Sequence, residues 1–260
     1  MSEQKKFTKL PIEKLPPSFD PYSLLEREDR AQFDPAVGLR RKNPVDPKLY
    51  GGDYYSAEHM AYAAEGYNFD ERVEKYAEPI KAIAAMPQPI VDLGCGPGFL
   101  VEALQRQGVA VEGVDISAKA VFELSLPTTR RHLHVAPLVE LPFADGQFAS
   151  GYSFHVLEHL TESELRQALA EISRVVRDRL HLIIPTWDSA IDETRFKQIV
   201  EDPTHRLICL RSWWIEQFKQ LGWVHNDEMA DQLDTIKRGW IFVFDREKEA
   251  TAEVTPTPAQ

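Results

Sequence analysis

The apolar run Pro89-Ile90-Val91-Asp92-Leu93 stops at Gly94-Cys95-Gly96-Pro97-Gly98 and gives way to the helical spacing of Leu100, Val101 and Leu104. A strand that turns into a helix through three closely spaced glycines lets its backbone approach a ligand and leaves free N–H groups at a helix N-terminus. A strand this apolar is buried on both faces, which calls for helices above and below a parallel sheet. The spacing is GxGxG rather than the GxGxxG of dinucleotide folds, and no Gly-Lys-Ser/Thr follows, which excludes a phosphate-binding P-loop.

The rest of the chain keeps the same alternation. Residues 69–85 have helical spacing, with Val73, Tyr76, Ala77, Ile80 and Ile83 as the predicted buried stripe. Strands are predicted at 109–116, 132–136, 148–154 and 180–184, with helices at 98–107, 117–124 and 161–176 between them. Ser117 is placed to cap its helix, and Thr161-Glu162-Ser163-Glu164 offers a capping box. Helices at 191–201 and 211–221 and strands at 224–229 and 239–245 complete the pattern. The expected fold is α/β, a doubly wound and mostly parallel sheet.

Two flanks differ from this core. Residues 1–48 carry Pro11, Pro16, Pro17, Pro21, Pro35, Pro44 and Pro47 in charged, weakly periodic sequence, which predicts an extended, partly ordered N-terminal arm. Residues 250–260, mostly Thr, Pro and Ala, are expected to be a disordered tail. Residues 49–249 form the main domain, with 186–215 as its lid segment.

Charge narrows the range of partners. Lys plus Arg number 30 against 41 Asp plus Glu, a formal net charge of -11, which argues against a nucleic-acid partner. Cys95 and Cys209 are too few for a disulfide framework. Met1 to Leu10 is polar, and no stretch reaches the roughly 20 apolar residues of a membrane helix. The expectation is a soluble cytoplasmic protein without a membrane partner.

A second clue follows the glycine loop. Asp115 ends the strand Val111-Glu112-Gly113-Val114-Asp115, where a carboxylate can accept both hydroxyls of a ribose. With VDLGCGPG at 91–98, VDIS at 114–117, LPFADGQF at 141–148 and HVLEHL at 155–160, the chain resembles the class I S-adenosylmethionine (SAM)-dependent methyltransferases, in particular their small-molecule branch. The resemblance runs over about 69–245 and implies a Rossmann-like methyltransferase fold of seven strands with the last reversed. It implies that Gly94, Gly96 and Gly98 line the cofactor's amino-acid and ribose portions, that Asp115 holds the ribose hydroxyls, and that Asp92 braces the loop. Cys95, Ile116, Phe154, Tyr54 and Tyr55 join this cofactor set. The family's adenine-binding acid is replaced by Ala136-Pro137-Leu138, so backbone near Leu138 and Val139 takes its place; Ala149 likewise stands where the fourth strand often opens with an acid.

The chemistry is expected beyond the fourth strand. His155, Glu158 and His159 stand at i, i+3 and i+4 and share one face of a helix if one begins near His155. His205 lies in Asp202-Pro203-Thr204-His205, in the lid segment. In the leading reading His155 or His205 is a general base. In the second, His155, Glu158, His159 and His205 gather a divalent metal, in partial resemblance to metal-assisted RNA 3′-end ribose methyltransferases, where His155 replaces a Glu. Tyr50, Tyr54, Tyr55, Tyr62 and Tyr67 cluster at the end of the arm, and Trp187, Trp213 and Trp214 follow the fifth strand; Arg211, Trp213 and Trp214 line an acceptor pocket, or the rings pack the arm onto the domain.

The expected activity is methyl transfer from SAM to a small-molecule acceptor, at a hydroxyl oxygen. No Asn/Asp-Pro-Pro-aromatic tetrad ends the fourth strand, which argues against amino methylation of nucleic acid. RNA ribose methylation, a carrier-bound or peptide acceptor, and a catalytically silent SAM-binding partner protein are the alternatives.

Overall fold

The structure, a computed structural model, describes residues 21–50, 54–55, 69–189, 193–234 and 239–247. Its strands are β1 (Phe33–Asp34), β2 (Gly38–Arg40), β3 (Ile90–Leu93), β4 (Val111–Asp115), β5 (Leu133–Val135), β6 (Phe148–Phe154), β7 (Val176–Ile183), β8 (Leu207–Cys209), β9 (Trp223–His225) and β10 (Ile241–Arg246). The helices are α1 (Arg27–Arg30), α2 (Phe69–Lys75), α3 (Ala77–Ala84), α4 (Phe99–Gln105), α5 (Glu162–Val175), α6 (Glu193–Val200), α7 (Arg211–Lys219) and α8 (Asp227–Leu233).

Seven strands form one sheet in the order β5-β4-β3-β6-β7-β10-β9. The pairs β3–β4, β4–β5, β3–β6 and β6–β7 are parallel, and β10 runs antiparallel to both neighbours. The sheet is doubly wound, with its last strand reversed, as the resemblance implied. The chain leaves β3 toward β4 and β5, then returns to β6 on the opposite side of β3. A crevice therefore opens beyond the carboxyl end of β3, where neighbouring connections part to opposite faces.

Burial on both faces explains the apolar strands. On β10, Phe242 and Phe244 point into the core shared with α5 and α7, while Ile241 and Val243 join the core packed by Phe196, Ile199 and Ala230. Successive side chains of a strand face opposite ways, so the run Trp240-Ile241-Phe242-Val243-Phe244 feeds two cores at once. A third core joins Ile80, Ile83, Val101 and Leu104 to Val111, Leu133 and Tyr152.

Several local expectations are corrected. The helix over 69–85 divides at Tyr76 into α2 and α3. Pro79 has no N–H to give the Lys75 carbonyl, so the ladder breaks there and restarts with Pro79 in the first turn. Ala77 is exposed, while Ile80 and Ile83 are buried. The strand expected at 224–229 ends at His225, because the Asn226 side chain accepts the Met229 N–H at 3.0 Å and caps α8. The helix expected after Ser117 is a π-turn at Ala120–Leu124, with the Ser117 hydroxyl accepting from Ala120 N at 3.1 Å. The capping box of α5 forms as expected.

Residues 33–40 form a hairpin whose second strand pairs with β8, giving a separate three-stranded sheet. Gly38 sits at φ 118°, and a Cβ there would overlap the carbonyl oxygen of Ile208. Only glycine lets β2 come this close to β8. Residues 1–20, 250–260, Tyr62 and Tyr67 lie outside the described residues.

Candidate active site

A cavity of about 700 Å³ occupies the crevice beyond β3. That is within the range that takes small ligands, roughly 300–1,000 Å³. Its walls come from the turns that follow β3 (Asp92, Gly94, Cys95, Gly96), β4 (Asp115, Ile116), β5 (Pro137, Leu138, Val139) and β6 (Phe154, His155, Val156). Tyr50, Tyr54 and Tyr55 close it on the arm side, and His159, Asp202, His205 and Trp240 at the far end.

The glycine loop is wired to β4. Gly94 N and Cys95 N both donate to Val114 O, at 2.8 and 3.0 Å. Gly96 N donates to Asp115 Oδ2 at 2.8 Å and Ser117 N to Oδ1 at 2.7 Å. Each carboxylate oxygen keeps a further lone pair, and Asp115 lies on the cavity wall. Ile116, 39% exposed beside it, offers apolar surface for a flat base. Gly94 adopts φ 89°, and a Cβ there would strike the Val156 side chain, so glycine sets how closely the β3 and β6 turns approach. Gly98, at φ 74°, is the N-terminal cap of α4 and does not itself line the cavity.

Buried carboxylates behind this loop are poor anions. Burial drives Asp92 up to about 8, with the Tyr152 hydroxyl opposing and Asp115 adding to the rise. Burial also raises Asp115, against the two N–H groups that favour its charged form. The Cys95 thiol is pushed up by burial and then by Asp92 and Asp115, so it is no thiolate nucleophile.

Beyond β6 no α-helix begins at His155. His155 takes φ 57°, its N–H donating to Ile183 O at 2.9 Å, and a single 3-10 turn spans Leu157–His159. The turn still brings His155 Nδ1 to 3.3 Å from Glu158 Oε1, and His159 lies beside both Glu158 and His205. The His159 ring lies edge-on to Tyr50, with centroids 6.0 Å apart, and to His205 at 4.9 Å. Glu158 thus meets His155 through a 3-10 turn rather than across a helix face, with His159 and His205 also close to it.

Electrostatics separate these groups. Glu158 is fully buried; burial alone would raise its carboxyl, yet His155, His159 and His205 hold it below the ordinary value. Burial, then the charge of His205, lowers His159 to about 4. His205 Nδ1 lies 2.6 Å from Ile199 O. A carbonyl only accepts, so Nδ1 carries a proton, and in the neutral ring Nε2 is the nitrogen with the lone pair. One ligand atom each from Glu158, His159 and His205 lie within 4.8 Å of one another. These three are the residues that could hold a metal.

The aromatic lid residues divide. Trp187 and Trp214 are buried, and Trp213 packs edge-on against Trp214 at 5.1 Å. Arg211 donates to Gly239 O and Ile241 O, each at 2.8 Å, above the Phe242 ring. None of the four lines the cavity. Sequence reasoning missed Arg72, Lys75, Tyr76, Glu164, Lys197 and Trp240, which do. It also missed the role of Tyr50, whose carbonyl accepts the Ser117 hydroxyl at 2.6 Å and so fastens the arm beside Asp115.

Comparison with known proteins agrees with this geometry. Residues 91–184 match the family described as a methyltransferase domain. The O-methyltransferase resE of Aspergillus sclerotiorum is 32% identical over 104 residues, 37% of this chain and 39% of that protein. A malonyl-[acyl-carrier protein] O-methyltransferase of Pseudescherichia vulneris is 26% identical over 118 residues, 44% of this chain and 46% of that protein. The chain thus spans less than half the length of these curated relatives. In fold it is similar to magnesium protoporphyrin IX methyltransferase of Synechocystis, solved with SAH bound, with a TM-score of 0.53 at 18% identity. That likeness covers 78% of this chain and 100% of the other. The 1,6-didemethyltoxoflavin-N1-methyltransferase of Burkholderia thailandensis has a TM-score of 0.53 at 16% identity, covering 83% and 97%. With its domain match over 91–184, its strand order and its cavity beyond β3, the chain carries a class I SAM-dependent methyltransferase domain.

Proposed function

We propose that the protein transfers the methyl group of SAM to a hydroxyl oxygen of a small-molecule acceptor, with His155 as general base. The observation that carries this reading is one cavity lined by both the strand-end carboxylate Asp115 and His155, whose Nδ1 lies 3.3 Å from Glu158. The residues present suit the cofactor: spare lone pairs on Asp115, apolar walls at Ile116, Leu138 and Val139, and the loop backbone at Gly94, Cys95 and Gly96. When bound, SAM supplies an electrophilic methyl carbon on a sulfonium.

His155 is the base of choice because its side chain is 36% exposed while its Nδ1 faces the buried Glu158. Nε2 is then left to take the acceptor proton. SAM held there would give up its methyl group to the acceptor oxygen and keep the electron pair of the broken carbon–sulfur bond. His155 would take the acceptor's proton, and Glu158, 3.3 Å from its Nδ1, would stabilise the resulting imidazolium. General-base help of this kind contributes about 10²–10⁴ in rate.

In this reading the 186–215 segment acts as a lid, and the N-terminal arm, fastened to it through Arg41, adds Tyr50 to the same cavity. Among the described residues no helix is long and apolar enough to cross a membrane.

The test is incubation with isotope-labelled SAM and fractionated small-molecule extracts. The proposal expects label in a low-molecular-weight product that gains one CH₂ in mass at oxygen. Label confined to the RNA or protein fraction, or none despite SAM binding, would replace it with a macromolecular acceptor or a silent partner protein.

A further inference from the structure

We infer that Glu158, His159 and His205 form a binding site for a first-row divalent transition ion at the acceptor end of the cavity. Glu158 is 0% exposed, yet neither of its carboxylate oxygens accepts a hydrogen bond of normal geometry among the described residues. Oε1 lies 3.3 Å from His155 Nδ1. His159 Nδ1 is enclosed and also has no hydrogen-bond partner there. Buried polar atoms are almost always satisfied, so two such groups side by side mark the place of a missing partner.

The arrangement supplies what a cation requires. The Ile199 carbonyl fixes the His205 tautomer and leaves Nε2 as the donor, the role that outer partners of metal-bound histidines play. The Arg206 N–H donates to the Glu158 carbonyl at 2.7 Å, which fastens the β6 turn to the segment carrying His205. One donor atom from each of the three side chains lies within 4.8 Å of the other two, so rotations moving these atoms by about an ångström close them onto an ion at ordinary bond lengths.

Two imidazole nitrogens and one carboxylate oxygen select borderline ions such as Zn(II), Co(II) or Mn(II) over Ca²⁺ and Mg²⁺, which take oxygen ligands. Three protein ligands leave coordination positions open, and His159 and His205 both border the cavity. An acceptor oxygen bound there has its hydroxyl proton made more acidic, and His155 receives that proton. Only this role for the ion rests on the methyl-transfer reading; the site itself stands on its ligands.

The experiment titrates chelated full-length protein with Co(II) and records visible absorption, with S-adenosylhomocysteine binding measured on the same sample. The expected result is one saturable equivalent of Co(II) with ligand-field bands, displaced by Zn(II) and weakened at least about tenfold in His159→Ala and in His205→Ala. Absence of saturable binding in a sample that binds S-adenosylhomocysteine, or unchanged affinity in both variants, overturns the site. Co(II) binding in a sample that fails to bind S-adenosylhomocysteine upholds the site and removes the methyl-transfer reading instead. Should the variants not fold, histidine ¹⁵N spectra of the wild type with Zn(II) decide: the two ligand imidazoles shift, or the site is absent.

Discussion

The guanidinium of Arg41 donates to the carbonyl of His205 at 2.8 Å, fastening the N-terminal segment to the loop that carries a cavity histidine. The same group reaches Asp202 O at 3.1 Å and Val200 O at 2.9 Å, while Asp29 accepts from it through both carboxylate oxygens. Both charges are largely buried, at 17% and 15% exposure. The arm is therefore part of the scaffold of the site.

Replacing Arg41 by Met leaves the Asp29 charge and three carbonyls short of partners. We expect a loss of about 2–4 kcal/mol in urea unfolding. Turnover falls further than S-adenosylhomocysteine affinity does, because the loop with His205 loosens while the Asp115 end stays intact. Equal losses in both would mean that the arm acts on the whole fold.

His155→Asn removes the base and keeps a polar side chain at a φ that Asn tolerates. The turnover rate is expected to fall about 10²–10⁴-fold, with S-adenosylhomocysteine affinity within about threefold of wild type. A turnover rate within tenfold of wild type would assign the proton to another group.

Stability is expected to peak near pH 6.5. His159 and His181 are each lowered to about 4 by burial, first in both cases, with His205 adding to the effect at His159. Below 6.5 the unfolded chain takes up protons that the folded one refuses, so their contribution is lost as pH falls toward 4. Asp92 has the opposite sign: raised to about 8, it contributes stability at low pH that is lost as pH rises from about 4 through 8. Of these three groups, two histidines outweigh one carboxyl between 4 and 6.5, and above 6.5 Asp92 contributes a fall of about 1.4 kcal/mol per pH unit. His225, also lowered by burial, acts with the histidines, and Asp115, also raised by burial, acts with Asp92. Denaturant unfolding across pH checks this, and Asp92→Asn should flatten the alkaline limb and steepen the acidic one.

The parts of this molecule legible in sequence are those with local signatures. The Gly94–Gly98 turn, Asp115 at a strand end and the Thr161–Glu164 box each combine residue type with short-range position. The β2–β8 pairing was not legible, because it joins Leu39 to Ile208 through strands of three residues, too short for periodicity. The turn at His155 was not legible either, since i, i+3 spacing carries no sign of a positive φ. Trp240 was assigned to a strand as one more apolar residue, yet its ring stands edge-on to His155 at 5.8 Å. The Asp227 helix was hidden by apolar residues at Val224 and Met229 that fit an extended reading equally well.

We propose that the cavity beyond β3 binds SAM through Asp115. Calorimetric titration of the full chain with S-adenosylhomocysteine, in wild type and in Asp115→Asn, tests it most directly. We expect micromolar binding with one site in wild type and a weakening of at least about tenfold in the variant, where an amide meets the Gly96 N–H and the ribose hydroxyls. A folded wild-type protein that shows no binding, or a variant that binds as tightly as wild type, would contradict the claim.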